Sequence, residues 1–453
     1  MTTRTTRMST TAAATTRAVR DTFSGLPAAF WWLWTSTLIN RLGAFVSTFL
    51  ALYLTVQKGY SASYAGLVAA LYGLGGAAGN LVAGVLTDRL GRRPTLLVSQ
   101  TATAGAVALL GFAAHPWTIA GLAALAGMTT SASRPAVQAM MTDIVPERHR
   151  VRAFALNYWA INIGFALSAS AAGLIARYSY LWLFLGEALL TALCAVVAYF
   201  RLPESRPERP GALEDGPEDG PVGGREDGPV GGPEDRPVGG PEDRPVGGTS
   251  LGDVLRDVRF MTVVGLNLLL VTLYQQGLVT LPLAMGRAGF DSTDFGLVIA
   301  ANGILIVALQ IPVTRLIEHR SAGPLLVLSA LLTGVGFGLT ALADSVPFYV
   351  LTVCVWTLGE IINSPTQMSL VTRLSPVQGR GRYQGVYTLS WSVAAFVAPL
   401  LGGVVIDRYG ADAVWVGSLA VGALAAVGYA QVMRRSQDSP SSATPATPPA
   451  SRS

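Results

Sequence analysis

Three charged side chains stand inside long apolar stretches of this 453-residue chain. Arg41 lies in Asn40-Arg41-Leu42-Gly43, Glu360 follows Gly359 in a second stretch, and Glu187 lies nearer the end of a third. A charge near the centre of a bilayer costs at least about 2.5 kcal/mol on insertion scales, which makes each a candidate for function. A carboxylate in such a place holds a proton while it is desolvated and alone, and releases it when an arginine approaches. A second group is polar and uncharged: Asn267, Tyr274, Gln275 and Gln276 share one apolar stretch. Tyr274 with one amide offers a partly apolar ligand an aromatic wall and a hydrogen-bonding group. Neighbouring helical residues point about 100° apart, so at most one of Gln275 and Gln276 faces that ligand squarely. The same side chains serve equally well as glue between helices. Asn40, Asn162, Asn302 and Asn363 offer weaker versions of the same choice. Arg134, just before Pro135, either lines an inner cavity or reaches towards the headgroups.

Other chemistries find no support. His115, His149 and His319 are too scattered for a metal site. Cys194 and Cys354 both fall within apolar stretches and imply no disulfide framework. No G-x-x-x-x-G-K-[ST] occurs, so energy is expected from an ion or solute gradient rather than from ATP. No serine, cysteine or histidine cluster points to an enzyme, and no cofactor is implied.

The elements that hold these residues are long and apolar. Hydrophobic residues make up 51% of the chain and charged residues only 13%, about half the share in ordinary soluble domains. Apolar stretches near 28–56, 62–87, 94–113, 117–143, 150–176, 180–200, 258–285, 292–318, 322–343, 346–372, 380–407 and 411–432 each suffice to cross about 30 Å of hydrocarbon. They predict an all-α integral membrane protein of twelve helices. Eleven arginines fall in the short loops on the side of the chain ends, from Arg89 to Arg382. Four basic residues, Lys58, Arg177, Arg287 and Arg408, fall on the other side, which places both termini in the cytoplasm. The net charge of +5 thus serves topology rather than nucleic acid. Residues 1–27 and 434–453 read as disordered cytoplasmic tails. Residues 201–250 contain four octads close to Pro-Glu-Asp-Arg-Pro-Val-Gly-Gly, the last being Pro241–Gly248. With valine as the one apolar side chain per octad, they predict a disordered linker between halves 28–200 and 251–433.

The halves repeat at a constant offset of 230 positions, which takes Pro135 to Pro365, Arg150 to Arg380, Arg152 to Arg382 and Gly173 to Gly403. Between the second and third stretches stands Gly84-Val85-Leu86-Thr87-Asp88-Arg89-Leu90-Gly91-Arg92-Arg93, an acid followed by three arginines and hinged by glycines. This segment resembles the loop signature G-x-L-x-D-R-x-G-R-R of the major facilitator superfamily, and parallel six-helix repeats resemble that fold's two halves. The resemblance covers about 28–200 and 250–432 and is nearest to the twelve-helix drug-proton antiporter branch. It implies that helices 1, 4, 7 and 10 line a central cavity. Glu360 would then bind a proton or a cationic substrate, with Arg41 as its competing partner across the cavity. It also implies a latch: Asp88, with Gly84, Arg89, Gly91, Arg92 and Arg93 around it, would meet the positive N-terminal end of helix 11 and hold the outward-open state.

Two departures matter. The arginine that antiporters carry four residues before a glycine of helix 4 is Ala123 here, counting back from Gly127. The helix 5 signature lacks its proline, since Gly164 is followed by Ser168, Ala169, Ala172 and Gly173. The expectation is a monomeric secondary transporter of the cytoplasmic membrane, coupled to protons and exporting small amphiphilic compounds. A proton-linked importer of a small nutrient and a non-transporting sensor or scaffold are the alternatives.

Overall fold

The computed structural model describes residues 25–204, 251–376 and 379–437. Most of the expected tails and all four octads lie outside the described residues. The sixth crossing runs to Arg201 and the last to Gln437.

Twelve crossings follow one another: α1 Ala28–Gln57, α2 Ala62–Arg89, α3 Arg92–Phe112, α4 Pro116–Ile144, α5 Glu147–Tyr178 and α6 Tyr180–Arg201. After a short helix at Leu251–Arg256 come α7 Val258–Arg287, α8 Ser292–Ile317, α9 Ala322–Leu339, α10 Val346–Leu374, α11 Arg380–Tyr409 and α12 Ala411–Gln437. Eleven are both long and apolar enough to span a membrane. The twelfth, α4, has the length, but its middle reads Thr129-Thr130-Ser131-Ala132-Ser133-Arg134. The side on which α1 begins and α12 ends is termed inner.

Helix starts follow local chemistry. Ser61 accepts from the Tyr64 amide at α2, Ser179 from Leu181 at α6, and Asp257 from Phe260 at α7. Asp291 and Asp294 form a reciprocal capping box at α8. Gly91, at φ +107°, makes the turn from α2 to α3, a conformation that a side chain would strain.

Two crossings expected to be continuous are broken. In α1, helix Ala28–Leu42 stops at Gly43 and resumes at Val46–Leu52, ending in a π turn over Tyr53–Gln57. In α7, Val258–Gln276 stops at Gly277 and resumes at Thr280–Arg287. Breaks of this kind persist in a membrane only where neighbours satisfy the freed backbone groups, and both breaks have such neighbours.

The halves meet through α2 against α11 and α5 against α8, at their outer ends. An added Cβ at Gly66 would overlap the Pro399 carbonyl, and one at Gly403 the Ala62 carbonyl. The second interface is the first displaced by 230 positions: Gly296 sits on Ala169, and Gly173 on Ser292. Small residues give close backbone approach where lipid leaves no hydrophobic drive. On the inner side, Gly84 of α2 and Gly385 of α11 have nothing within 4 Å. Among the described residues the halves are therefore pressed together at their outer ends and leave open space beside these two glycines on the inner side.

Candidate functional site

Glu360 lies midway along α10, where Gly359 lets that helix press against Ser329 and Thr333 of α9. Its Oε2 accepts a hydrogen bond of 3.0 Å from Asn302 Nδ2 on α8, which also donates to Thr357 Oγ1 at 3.0 Å. Tyr158 of α5 and Tyr274 of α7 are the titratable groups close enough to feel its charge. Asn302, classed above with the weaker choices, is thus the residue that sets the carboxylate's position.

Arg41 ends the first segment of α1 and packs against α5, where a Cβ on Gly164 would come within 2.5 Å of the Arg41 Cβ. Its charged and titratable neighbours are Arg134 of α4, Tyr72 of α2 and Glu187 of α6. Among the described residues Arg41 and Glu360 form no ion pair in this arrangement. Glu187 is committed elsewhere, because its Oε2 accepts the Val46 amide at 2.7 Å and so caps the second segment of α1. Arg134 is exposed one turn from Gln138, which with Pro135, Ala139, Thr142, Thr87 and Phe154 lines an inner cavity of ≈ 550 Å³. Gly84 borders the same cavity. The buried Thr130 hydroxyl, one turn from Arg134, lies beside the Tyr72 hydroxyl of α2.

The polar set of α7 divides. Tyr274 is buried towards α9 and α10, its hydroxyl 3.4 Å from Thr333 Oγ1 and its ring 6.5 Å from Trp356. Gln276 bridges the break, since Oε1 accepts from Thr280 Oγ1 and Nε2 donates to the Ala398 carbonyl at 3.4 Å. Asn267 donates to Ser390 Oγ at 2.9 Å, and Asn363 accepts from Ser329 Oγ at 3.4 Å. Gln276, Asn267 and Asn363 thus tie helices together, while Gln275 and Asn40 are half-buried without a side-chain hydrogen bond among the described residues.

At the loop between α2 and α3, Arg92 is held inside its own half. It pairs with Asp143 of α4 at 3.1 Å, donates to the Thr87 carbonyl at 3.2 Å, and its amide meets Glu204 at 3.0 Å. Arg93 donates to the Tyr199 carbonyl and lies over that ring at 5.1 Å, and Arg89 is exposed. The Asp88 side chain lies outside the described set, as does that of Arg380 at the start of α11.

A family model described as "Major Facilitator Superfamily" matches residues 33–399 and again 278–452. The chain belongs to the major facilitator superfamily. It is 25% identical over 376 residues to a Na(+), Li(+), K(+)/H(+) antiporter of Planococcus maritimus, covering 78% of this chain and 84% of that one. It is 22% identical over 370 residues to the multidrug resistance protein MdtH of Escherichia coli O9:H4 (strain HS), covering 78% and 79%. A solved POT family transporter, in complex with 5-aminolevulinic acid, shares the fold at a TM-score of 0.70 and 14% identity over 92% and 97% of the two chains. The members compared are membrane transporters and not enzymes.

One cluster of this superfamily member escaped the sequence reading. Asp407, near the outer end of α11, accepts from the Ala62 amide at 3.3 Å, the Ser63 amide at 2.6 Å and the Ser63 hydroxyl at 2.6 Å. Arg287 of α7 pairs with it at 2.5 Å and donates to the Ile406 carbonyl at 2.9 Å. The acid of one half therefore caps the first turn of α2 in the other. A signal was present: Gly403-Val404-Val405-Ile406-Asp407-Arg408-Tyr409-Gly410 repeats the spacing of Gly84 through Gly91.

Proposed function

We propose that this transporter exports small amphiphilic compounds from the cytoplasm in exchange for protons, by alternating access of its two halves. The observation that carries the reading is Glu360, a carboxylate at mid-depth between the halves with Asn302 as its hydrogen-bonding neighbour. The inner-open arrangement gives the interior access from the side assigned here to the cytoplasm. Protonation from outside, release inside, and approach of Arg41 as the halves rock would complete a cycle. The antiporter and multidrug relatives favour exchange and export over uptake.

The two Gly-to-Gly segments fit this cycle as a pair. Asp407 caps α2 while the outer side is shut. Asp88, at the same spacing on α2, is proposed to cap α11 when the inner side shuts.

The test uses proteoliposomes with an imposed pH gradient and dansyl probes of different charge. The intact protein should move at least one probe along with the gradient, and Glu360→Gln should lose that dependence. Equal gradient-driven movement by both proteins would place coupling elsewhere. No movement by either would overturn export of such compounds.

A further inference from the structure

We infer that the faces of α1 and α4 that carry Arg41 and Arg134 form a subsite for a carboxylate or similar singly charged anionic head group on the transported compound. The inference rests on the transport reading above and narrows its substrate class to amphiphilic anions and zwitterions.

Both arginines sit on crossings at the interior of the amino-terminal half. Arg41 is at the break of α1, with its stem closed in by Gly164 of α5. On α4, Gly127 lies against the Tyr72 backbone of α2 and Ser131 against Gly76. That register puts Thr130 and Arg134, four residues apart, on adjoining turns beside Tyr72. Neither guanidinium donates a hydrogen bond to the protein or pairs with a carboxylate among the described residues. The one acid near Arg41 is Glu187, and its Oε2 is spent on the Val46 amide. Two positive charges therefore face one negative charge, and the excess is a single cation.

In this inner-open arrangement Arg134 is exposed beside the inner cavity, where water can screen it. When the inner side closes, that water is lost, and an unpaired charge of this kind becomes expensive. An anion carried by the substrate removes the expense, and guanidinium forks bind carboxylates in a fixed two-point geometry. Thr130 adds a hydroxyl on the same face, beside Tyr72. In this arrangement Glu360 is held to α8 by Asn302 and meets Arg41 only as the halves rock, which leaves the Arg134 charge to the substrate. The negative charge of Glu360 across the interior is instead complementary to an ammonium group, which is why zwitterions fall in the same class. A lone organic or inorganic cation would meet net positive charge on this face and be disfavoured.

Equilibrium binding to the purified full chain in detergent tests this without any gradient. The probes are dansylglycine, neutral dansylamide and a dansyl-alkylammonium, which share one fluorophore and differ in head-group charge. Dansylglycine should bind best. Arg41→Gln and Arg134→Gln should each weaken it on the order of tenfold while leaving dansylamide unchanged. Arg41→Lys should restore part of the loss, which separates charge from packing at Gly164. Glu360→Gln should keep the preference for the carboxylate. Equal or tighter binding of the alkylammonium, an unchanged preference in both Gln variants, or no binding of any probe would overturn the subsite. Charge-selective binding without gradient-driven flux would instead leave the subsite standing and fail the proton-exchange reading.

Discussion

Glu360 depends on one amide for its setting, and that dependence can be measured. Asn302 donates to it across 3.0 Å, and a hydrogen bond to a charged group is worth about 1.5–3 kcal/mol. Asn302→Ala should therefore cut the initial rate of gradient-driven movement by about tenfold or more in proteoliposomes, while the protein still elutes as a single folded species. An unaltered rate would remove Asn302 from the coupling mechanism. Gly164 is the matching residue for Arg41. A methyl there comes within 2.5 Å of the Arg41 Cβ, and overpacking of this kind costs about 1–3 kcal/mol. Gly164→Ala should lower the thermal midpoint in detergent and displace the guanidinium, so that dansylglycine binding weakens as well. Arg41 and Glu360 were legible because a charge inside an apolar stretch stands out by itself. Asn302, Gly164 and Tyr72 were not, because a single asparagine, glycine or tyrosine inside a stretch looks the same whether it faces a carboxylate, a helix or lipid.

Among the elements, α2 and α11 carry the clearest mechanical argument. They run in opposite directions, and each ends in Asp-Arg-x-Gly preceded four residues earlier by glycine. In this structure the Asp407 end is engaged: three donors from the first turn of α2 converge on its carboxylate, and Arg287 braces it. An acid at a helix N-terminus gains about 0.3–1 kcal/mol from the dipole alone, and charged hydrogen bonds add to that. Asp407→Asn should shift the population towards the outer-open arrangement several-fold, read by double electron–electron resonance between labels on the outer ends of α2 and α11. Asp88→Asn should shift it the opposite way. Two variants that leave the distance distributions alone would refute both latches. The breaks in α1 and α7 belong to this scale too, and the sequence hid them. With 50 glycines in the chain, neither Gly43 nor Gly277 is distinctive, and each break is braced from another crossing: by Glu187 for α1, and by the Ala398 carbonyl that Gln276 reaches for α7.

For the whole molecule, the offset of 230 positions was the most informative sequence feature, because it describes the interface between halves as well as the halves themselves. Gly66 on Pro399 and Gly296 on Ala169 are one contact made twice, as are Gly403 on Ala62 and Gly173 on Ser292. A molecule closed outside by two equivalent seams opens outside only if both seams part, so fastening either one should suffice to stop the cycle. The α5–α8 seam allows a direct trial. The Cβ position of Gly173 lies 3.1 Å from the Thr293 Cα, close enough for a cross-link once the Ser292 carbonyl, 2.6 Å away, gives way. In a background where Cys194 and Cys354 are replaced by alanine, Gly173→Cys with Thr293→Cys should transport while reduced, cross-link when an oxidant is added and then lose gradient-driven movement, and a reductant should restore it. The same pair should leave dansylglycine binding from the inner side intact, since the seam lies on the outer side of the arginines and the inner side stays open. Transport that continues through the oxidised pair would mean that the α5–α8 seam does not need to part, and alternating access by rocking of the two halves would have to be given up.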